Sequence, residues 1–184
     1  ASFHSQPSGS RARAASLEQR RLIGVPRAPK SIPQENAAEW LELLERAVRI
    51  NPSSAMAAWA LGAALGPAGR PDDAVPVLER AIRLSPQDPL MHEFLFAMSA
   101  SHFIAGRYEE SIRVARESLD LRPGMPGCLR LIASSYGHLG KSAEAAPYLQ
   151  SLRQIQPDLS EEHLESYMSR ALAERYMAGL RLAG

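Results

Sequence analysis

The stretch WALGAALGPAGRPDDAVPVLERAIRLSP, residues 59–86, decides the fold. It closes on Leu84-Ser85-Pro86, and the same phrase of aliphatic, polar residue and proline recurs as Ile50-Asn51-Pro52, Leu121-Arg122-Pro123 and Ile155-Gln156-Pro157. The four prolines are spaced by 34, 37 and 34 residues. A period near 34 in a helix-rich chain marks a two-helix unit that cannot bury its apolar face alone and must stack on its neighbours.

Aligning the units on their prolines gives columns of one character. Trp40, Ala74, Ser111 and Ala145 share one column; Leu44, Leu78, Ala115 and Leu149 a second; Ala47, Ala81, Ser118 and Leu152 a third. Gly69, Gly106 and Gly140 stand at the turn between the two helices of each complete unit, where glycine ends a helix without steric cost. Earlier in each unit Gly62, Ser99 and Ala133 let neighbouring helices approach closely. Pro76 and Pro147 fall at one equivalent point early in the second helices. Each removes a backbone donor, so a late-starting or bent first turn is expected there.

These columns predict an all-α chain organised in three parts. Residues 1–35 read as a flexible basic segment with a short helix over 14–24; 36–159 as the repeat array; 160–184 as one capping helix. Within the array, a half repeat spans 36–54 and full repeats span 55–88, 92–125 and 126–159. Asn36 is the expected N-cap of the first array helix, in which Trp40, Leu41, Leu44, Ala47 and Val48 recur at helical spacing. Extra residues around Pro89-Leu90-Met91 account for the longer spacing. The closing stripe of Leu164, Tyr167, Met168, Ala171, Leu172, Tyr176 and Leu180 supplies the lid that a stack of repeats needs.

Bulk composition excludes several classes. Formal net charge is +1 over 184 residues, which gives no global field toward nucleic acid or membrane. The positive charge is concentrated at the start, where Arg11, Arg13, Arg20, Arg21, Arg27 and Lys30 face Glu18 alone. Without interleaved aromatics that segment is not a nucleic-acid platform, and no nucleic-acid partner is expected. No run is long and apolar enough to span a membrane. A single cysteine, Cys128, excludes an internal disulfide and a cysteine-rich metal site. A reducing cytoplasmic compartment fits, and the preference for Arg over Lys suits a bacterial source. The chain opens on Ala1 rather than Met, so a piece of a larger or processed product is expected.

No catalytic pattern emerges. His4, His92, His102, His138 and His163 lack metal-ligand spacing, and no clustered carboxylates, phosphate loop or nucleophile motif is present. Neither a catalytic residue, a metal nor a cofactor is expected.

The runs Trp59-Ala60-Leu61-Gly62, Gly69-Arg70-Pro71-Asp72-Asp73-Ala74 and Gly106-Arg107-Tyr108-Glu109-Glu110-Ser111-Ile112 resemble the tetratricopeptide repeat. That resemblance covers about residues 36–159. It implies a right-handed superhelical solenoid of antiparallel helix pairs whose first helices line a concave groove for a protein or peptide segment. Carried over residue by residue, the groove comprises Met56, Trp59, Ala63, Phe96, Phe103, Arg130, Ser134 and His138, with the aromatics as anchors and Arg130 as a directional charge. The Lys/Asn clamp of chaperone-binding relatives is missing.

Three further runs, residues 102–111, 131–140 and 173–184, are similar to the C-terminal repeats of bacterial class III adenylate/guanylate cyclases and of related winged-helix regulators. Three functions are therefore expected in order: a non-catalytic interaction module, the regulatory tail of a cyclase, and a homo-oligomerising scaffold. The third, a homodimer at its simplest, requires the incomplete first repeat to expose Trp40 and Leu44.

Overall fold

The structure, a computed structural model, describes residues 37–184. The helix expected over 14–24 and the Asn36 cap lie outside these residues. Among the described residues the chain is helical without strands: α1 Ala37–Ile50, α2 Ala55–Leu65, α3 Pro71–Leu84, α4 Met91–Ile104, α5 Tyr108–Leu121, α6 Pro126–His138, α7 Ser142–Ile155, α8 Glu161–Glu165 and α9 Arg170–Ala183.

Three antiparallel pairs, α2/α3, α4/α5 and α6/α7, turn on the same device. Gly69, Gly106 and Gly140 have φ of 83°, 79° and 69°. In each turn the next residue's amide reaches back five residues: Arg70 to the Leu65 carbonyl, Arg107 to His102 and Lys141 to Tyr136, all at 2.9 Å. This is the closing pattern of a left-handed helix stop, and glycine adopts it without strain. The second helices end alike, the amides of Ser85, Arg122 and Gln156 donating to the carbonyls of Ala81, Ser118 and Leu152 before the proline prevents continuation.

Small residues set the crossing within each pair. A Cβ on Gly62 would lie 2.5 Å from Leu78 Cγ, so only glycine admits that leucine. At the equivalent crossing Ser99 Oγ donates to the Ser111 carbonyl at 2.8 Å, which satisfies a buried hydroxyl between two helices. Ala133 and Ala145 meet the third crossing with no polar group at all, and both are fully buried.

Three expectations are corrected. Leu44 is 2% exposed, in one apolar cluster with Leu61, Leu65 and Leu78, so the first repeat does not present it to a second copy. Trp40 is half-buried against the same cluster. Of the two outcomes expected at Pro76 and Pro147, the late start is excluded, because α3 starts at Pro71 and α7 at Ser142. Both rings lie on the exposed face, as do Asp72 and Ala143, whose carbonyls are left without the helical donor. Finally, the terminal segment is two helices rather than one. Ser160 caps α8 by accepting from the His163 amide at 3.1 Å, and Ser166 Oγ donates to the His163 carbonyl at 2.7 Å. The Ser166 bond, at the end of α8, competes with helix continuation. The backbone is extended at Ser169 (φ −65°, ψ 148°), and α9 starts in a new direction.

Candidate partner groove

The first helices α2, α4 and α6 carry the residues expected on the concave face, and the structure divides these into two groups. Phe103, Arg130, Ser134 and His138 gather beneath α9. Ser134 Oγ donates to the Tyr176 carbonyl at 3.0 Å, and His138 Nε2 lies 3.0 Å from the Arg175 carbonyl. Phe103 is fully buried, its ring stacked on Tyr176 at 4.3 Å between centroids. The terminal helix thus lies in the third unit's part of the concave face, and Phe103 is core there instead of an open anchor.

Arg175 fastens this arrangement from the other side. Its Nη1 donates to the Ile104 carbonyl at 2.7 Å and its Nη2 to Tyr108 Oη at 2.9 Å, with the guanidinium over the Phe103 and Tyr108 rings. Tyr108 in turn stacks on His138 at 4.7 Å. Sequence reading placed Tyr176 on the lid stripe but gave Arg175 and Gly179 no role. The signal available was the pair of glycines, Gly137 and Gly179, each on a helix face where a side chain would block approach.

The second group lies on α2 and α4. Met56 is buried, whereas Ala63 and Phe96 are half-buried. Trp59 is also half-buried and bridges units: its Nε1 donates to the Glu93 carbonyl at 3.2 Å, and its ring stacks on Phe94 at 5.7 Å. Phe96 reaches the next unit, where a Cβ on Gly127 would meet its Cε2 at 2.6 Å. Apolar surface therefore stays accessible at Ala63 and Phe96, and the Phe96 ring carries it to Gly127 of the next unit.

Cys128 and His102 are held in structural contacts. Burial pushes the Cys128 thiol up to about 11, and its Sγ donates to Ser118 Oγ at 3.3 Å, so it behaves as a small apolar residue. Burial, reinforced by the Arg107 charge, pushes the His102 imidazole below its ordinary value; Arg107 Nε donates to its Nδ1 at 3.0 Å across the turn. Among the described residues no three His, Cys, Asp or Glu side chains converge as a metal cluster would require. Nor is any helix among them long and apolar enough to cross a membrane.

The tetratricopeptide repeat family profile matches residues 34–89 and 64–126, together half of the chain. The chain belongs to the tetratricopeptide repeat family. Solved structures agree on the fold. A MamA structure labelled AMB-1 is 25% identical over 79% of this chain and 92% of that one, with a TM-score of 0.54. PilW, described as a widely conserved type IV pilus biogenesis factor, is 17% identical over 97% of this chain and 76% of its own, with a TM-score of 0.63. No curated protein matches the chain significantly. As a tetratricopeptide repeat protein the chain is an interaction module, its units stacked around one continuous concave face.

Proposed function

We propose that this chain is a non-catalytic interaction module that seats a segment of a partner protein, or of its own longer chain, along the concave face of α2 and α4. The observation that carries the reading is the placement of α9. A helix already rests on the concave face of α6, held by Ser134 and His138, so the geometry of the face suits a docked segment. Next to it Ala63 and Phe96 keep apolar surface accessible, which is the usual core of an interface. A peptide library displayed against the chain tests this. Enriched sequences that bind wild type and lose most of their affinity on Phe96→Ala, with an unchanged thermal melt, support the groove; binders indifferent to Phe96 sink it.

A second reading has one specific observation in its favour. The runs resembling cyclase-associated repeats come together in space: Phe103 and Tyr108 from the first, His138 from the second, and Arg175 and Tyr176 from the third. On this reading the chain is a regulatory tail. The coding sequence upstream of Ala1 tests it, since an in-frame cyclase or winged-helix domain supports the tail and an adjacent start codon refutes it.

A further inference from the structure

Among the described residues, Arg130 is a charged side chain of α6 that its own fold leaves incompletely satisfied. Its side chain is 5% exposed, yet among the described residues no carboxylate pairs with it, and its Nε is buried without a hydrogen-bond acceptor. The guanidinium lies near the rings of Tyr167 and Tyr176, 5.7 and 5.4 Å from their centroids. Ring faces attract a cation but accept none of the in-plane hydrogen bonds that a guanidinium offers in a fork. Buried charges are ordinarily paired.

Position adds a second indication. Gly127, against which the Phe96 ring rests, is one helical turn before Arg130 on the same face of α6. The guanidinium therefore adjoins the accessible stretch of the groove, under half-buried Tyr167 in the turn between α8 and α9. Arg175 also lacks a carboxylate partner among the described residues and is linked to Arg130 through the stacked rings of Phe103 and Tyr176. Glu93, the acidic residue of α4, is turned to Arg122 at 3.8 Å and His92 at 3.6 Å. Among the described residues, the α9 end of the groove thus carries two guanidinium groups without an acid paired to either.

We propose that Arg130 is the anion seat of the groove, taking a carboxylate of an acidic partner segment whose apolar side chains lie over Phe96 and Ala63. The proposal rests on the groove reading above. An acidic peptide fits better than a nucleic acid. A phosphate backbone needs cations repeated along its track and flat rings for its bases. Here the charge is confined to one end and the rest of the stretch is apolar.

The test uses peptides selected by display on the whole chain, each synthesised with Glu or Asp and with the matching amide, and with a free or amidated C-terminus. Titration calorimetry on wild type should show the acid binding about tenfold or more tightly than the amide. On Arg130→Met the two should bind alike. The C-terminal pair tells a chain-terminal carboxylate from a side-chain one. Equal binding of acid and amide to wild type, or a preference that survives Arg130→Met, overturns the seat while leaving the groove intact. Should Arg130→Met fold poorly, the Nε–Hε resonance of Arg130 in wild type replaces it. A shift with the acid peptide and none with the amide supports the seat, and no shift overturns it. Competition by a short single-stranded oligonucleotide would reassign the partner class. A library without enriched peptides overturns the groove and the seat together.

Discussion

Gly137 on α6 and Gly179 on α9 meet backbone to backbone: a Cβ on Gly137 would fall well inside the van der Waals envelope of the Gly179 carbonyl. This contact fixes how deeply α9 enters the concave face, and with it the positions of Tyr176 against Phe103 and of Arg175 against Tyr108. Ala at position 137 gains roughly 0.8–1 kcal/mol of helix propensity. Against that stands a forced overlap with backbone, which cannot rotate away and costs about 1–3 kcal/mol or more. The clash wins. Gly137→Ala and Gly179→Ala should each lower the melting temperature and raise the rate of limited proteolysis around residues 160–170. An unchanged melt together with unchanged proteolysis would show that α9 is not seated as described.

The aromatics of the face separate by the same logic. Phe103 is fully buried under Tyr176, so Phe103→Ala should cost about 3–5 kcal/mol and broaden or abolish a cooperative melt. Phe96 is half-buried, so its loss should be felt mainly in binding. Circular dichroism melts of the two variants side by side check this. A Phe103 variant as stable as wild type would return that ring to the open groove.

Much of this is legible in the sequence. The turn glycines, the terminal prolines and the small crossing residues act within one unit or against the next, so a 34-residue period exposes them as columns. The third unit's groove was not legible in the same way. Arg130 is buried by Tyr167 and Tyr176, dozens of residues away, and nothing local to Pro126–His138 distinguishes a residue facing solvent from one facing a returning helix. The break at 166–169 was hidden for a related reason. The apolar stripe from Leu164 to Leu180 has helical spacing throughout, and what divides it is local: the Ser166 hydroxyl on the His163 carbonyl and the extended backbone at Ser169.

Cys128 gives a pH prediction with a definite sign. Its ordinary value of 9.0 rises to about 11 in the fold because burial penalises the thiolate. Between these values the unfolded chain has released the proton and the folded chain holds it. The unfolded state therefore binds fewer protons, and stability falls as pH rises. The loss should approach about 1.4 kcal/mol per pH unit within that window and fade out below about pH 8. Cys128→Ala should remove this component of the slope, leaving that of Tyr176, which burial shifts in the same direction. Denaturant melts between pH 8 and pH 11 measure it. Native-state labelling by a thiol reagent at pH 8 should likewise be slow, and ready modification would mean that the site is open.

Pro76 and Pro147 yield the last prediction, and here the competing terms can be weighed. Each lies within a continuous helix on its exposed face. Alanine there supplies the missing amide to the carbonyls of Asp72 and Ala143, and propensity favours Ala over Pro in a helix interior by up to about 3 kcal/mol. Part of that penalty is already relieved, because the helices run through both rings and the freed carbonyls belong to exposed residues. Proline also restricts the unfolded chain, an advantage of about 0.4–1 kcal/mol that alanine gives up. The balance favours alanine, so Pro76→Ala and Pro147→Ala should each stabilise by about 1–2 kcal/mol. The two sites belong to different units without a shared contact, so the double variant should be close to additive. Denaturant titration of the singles and the double reads this directly. A loss of stability in either would mean that the ring fixes a bend on which the stacking of its unit depends.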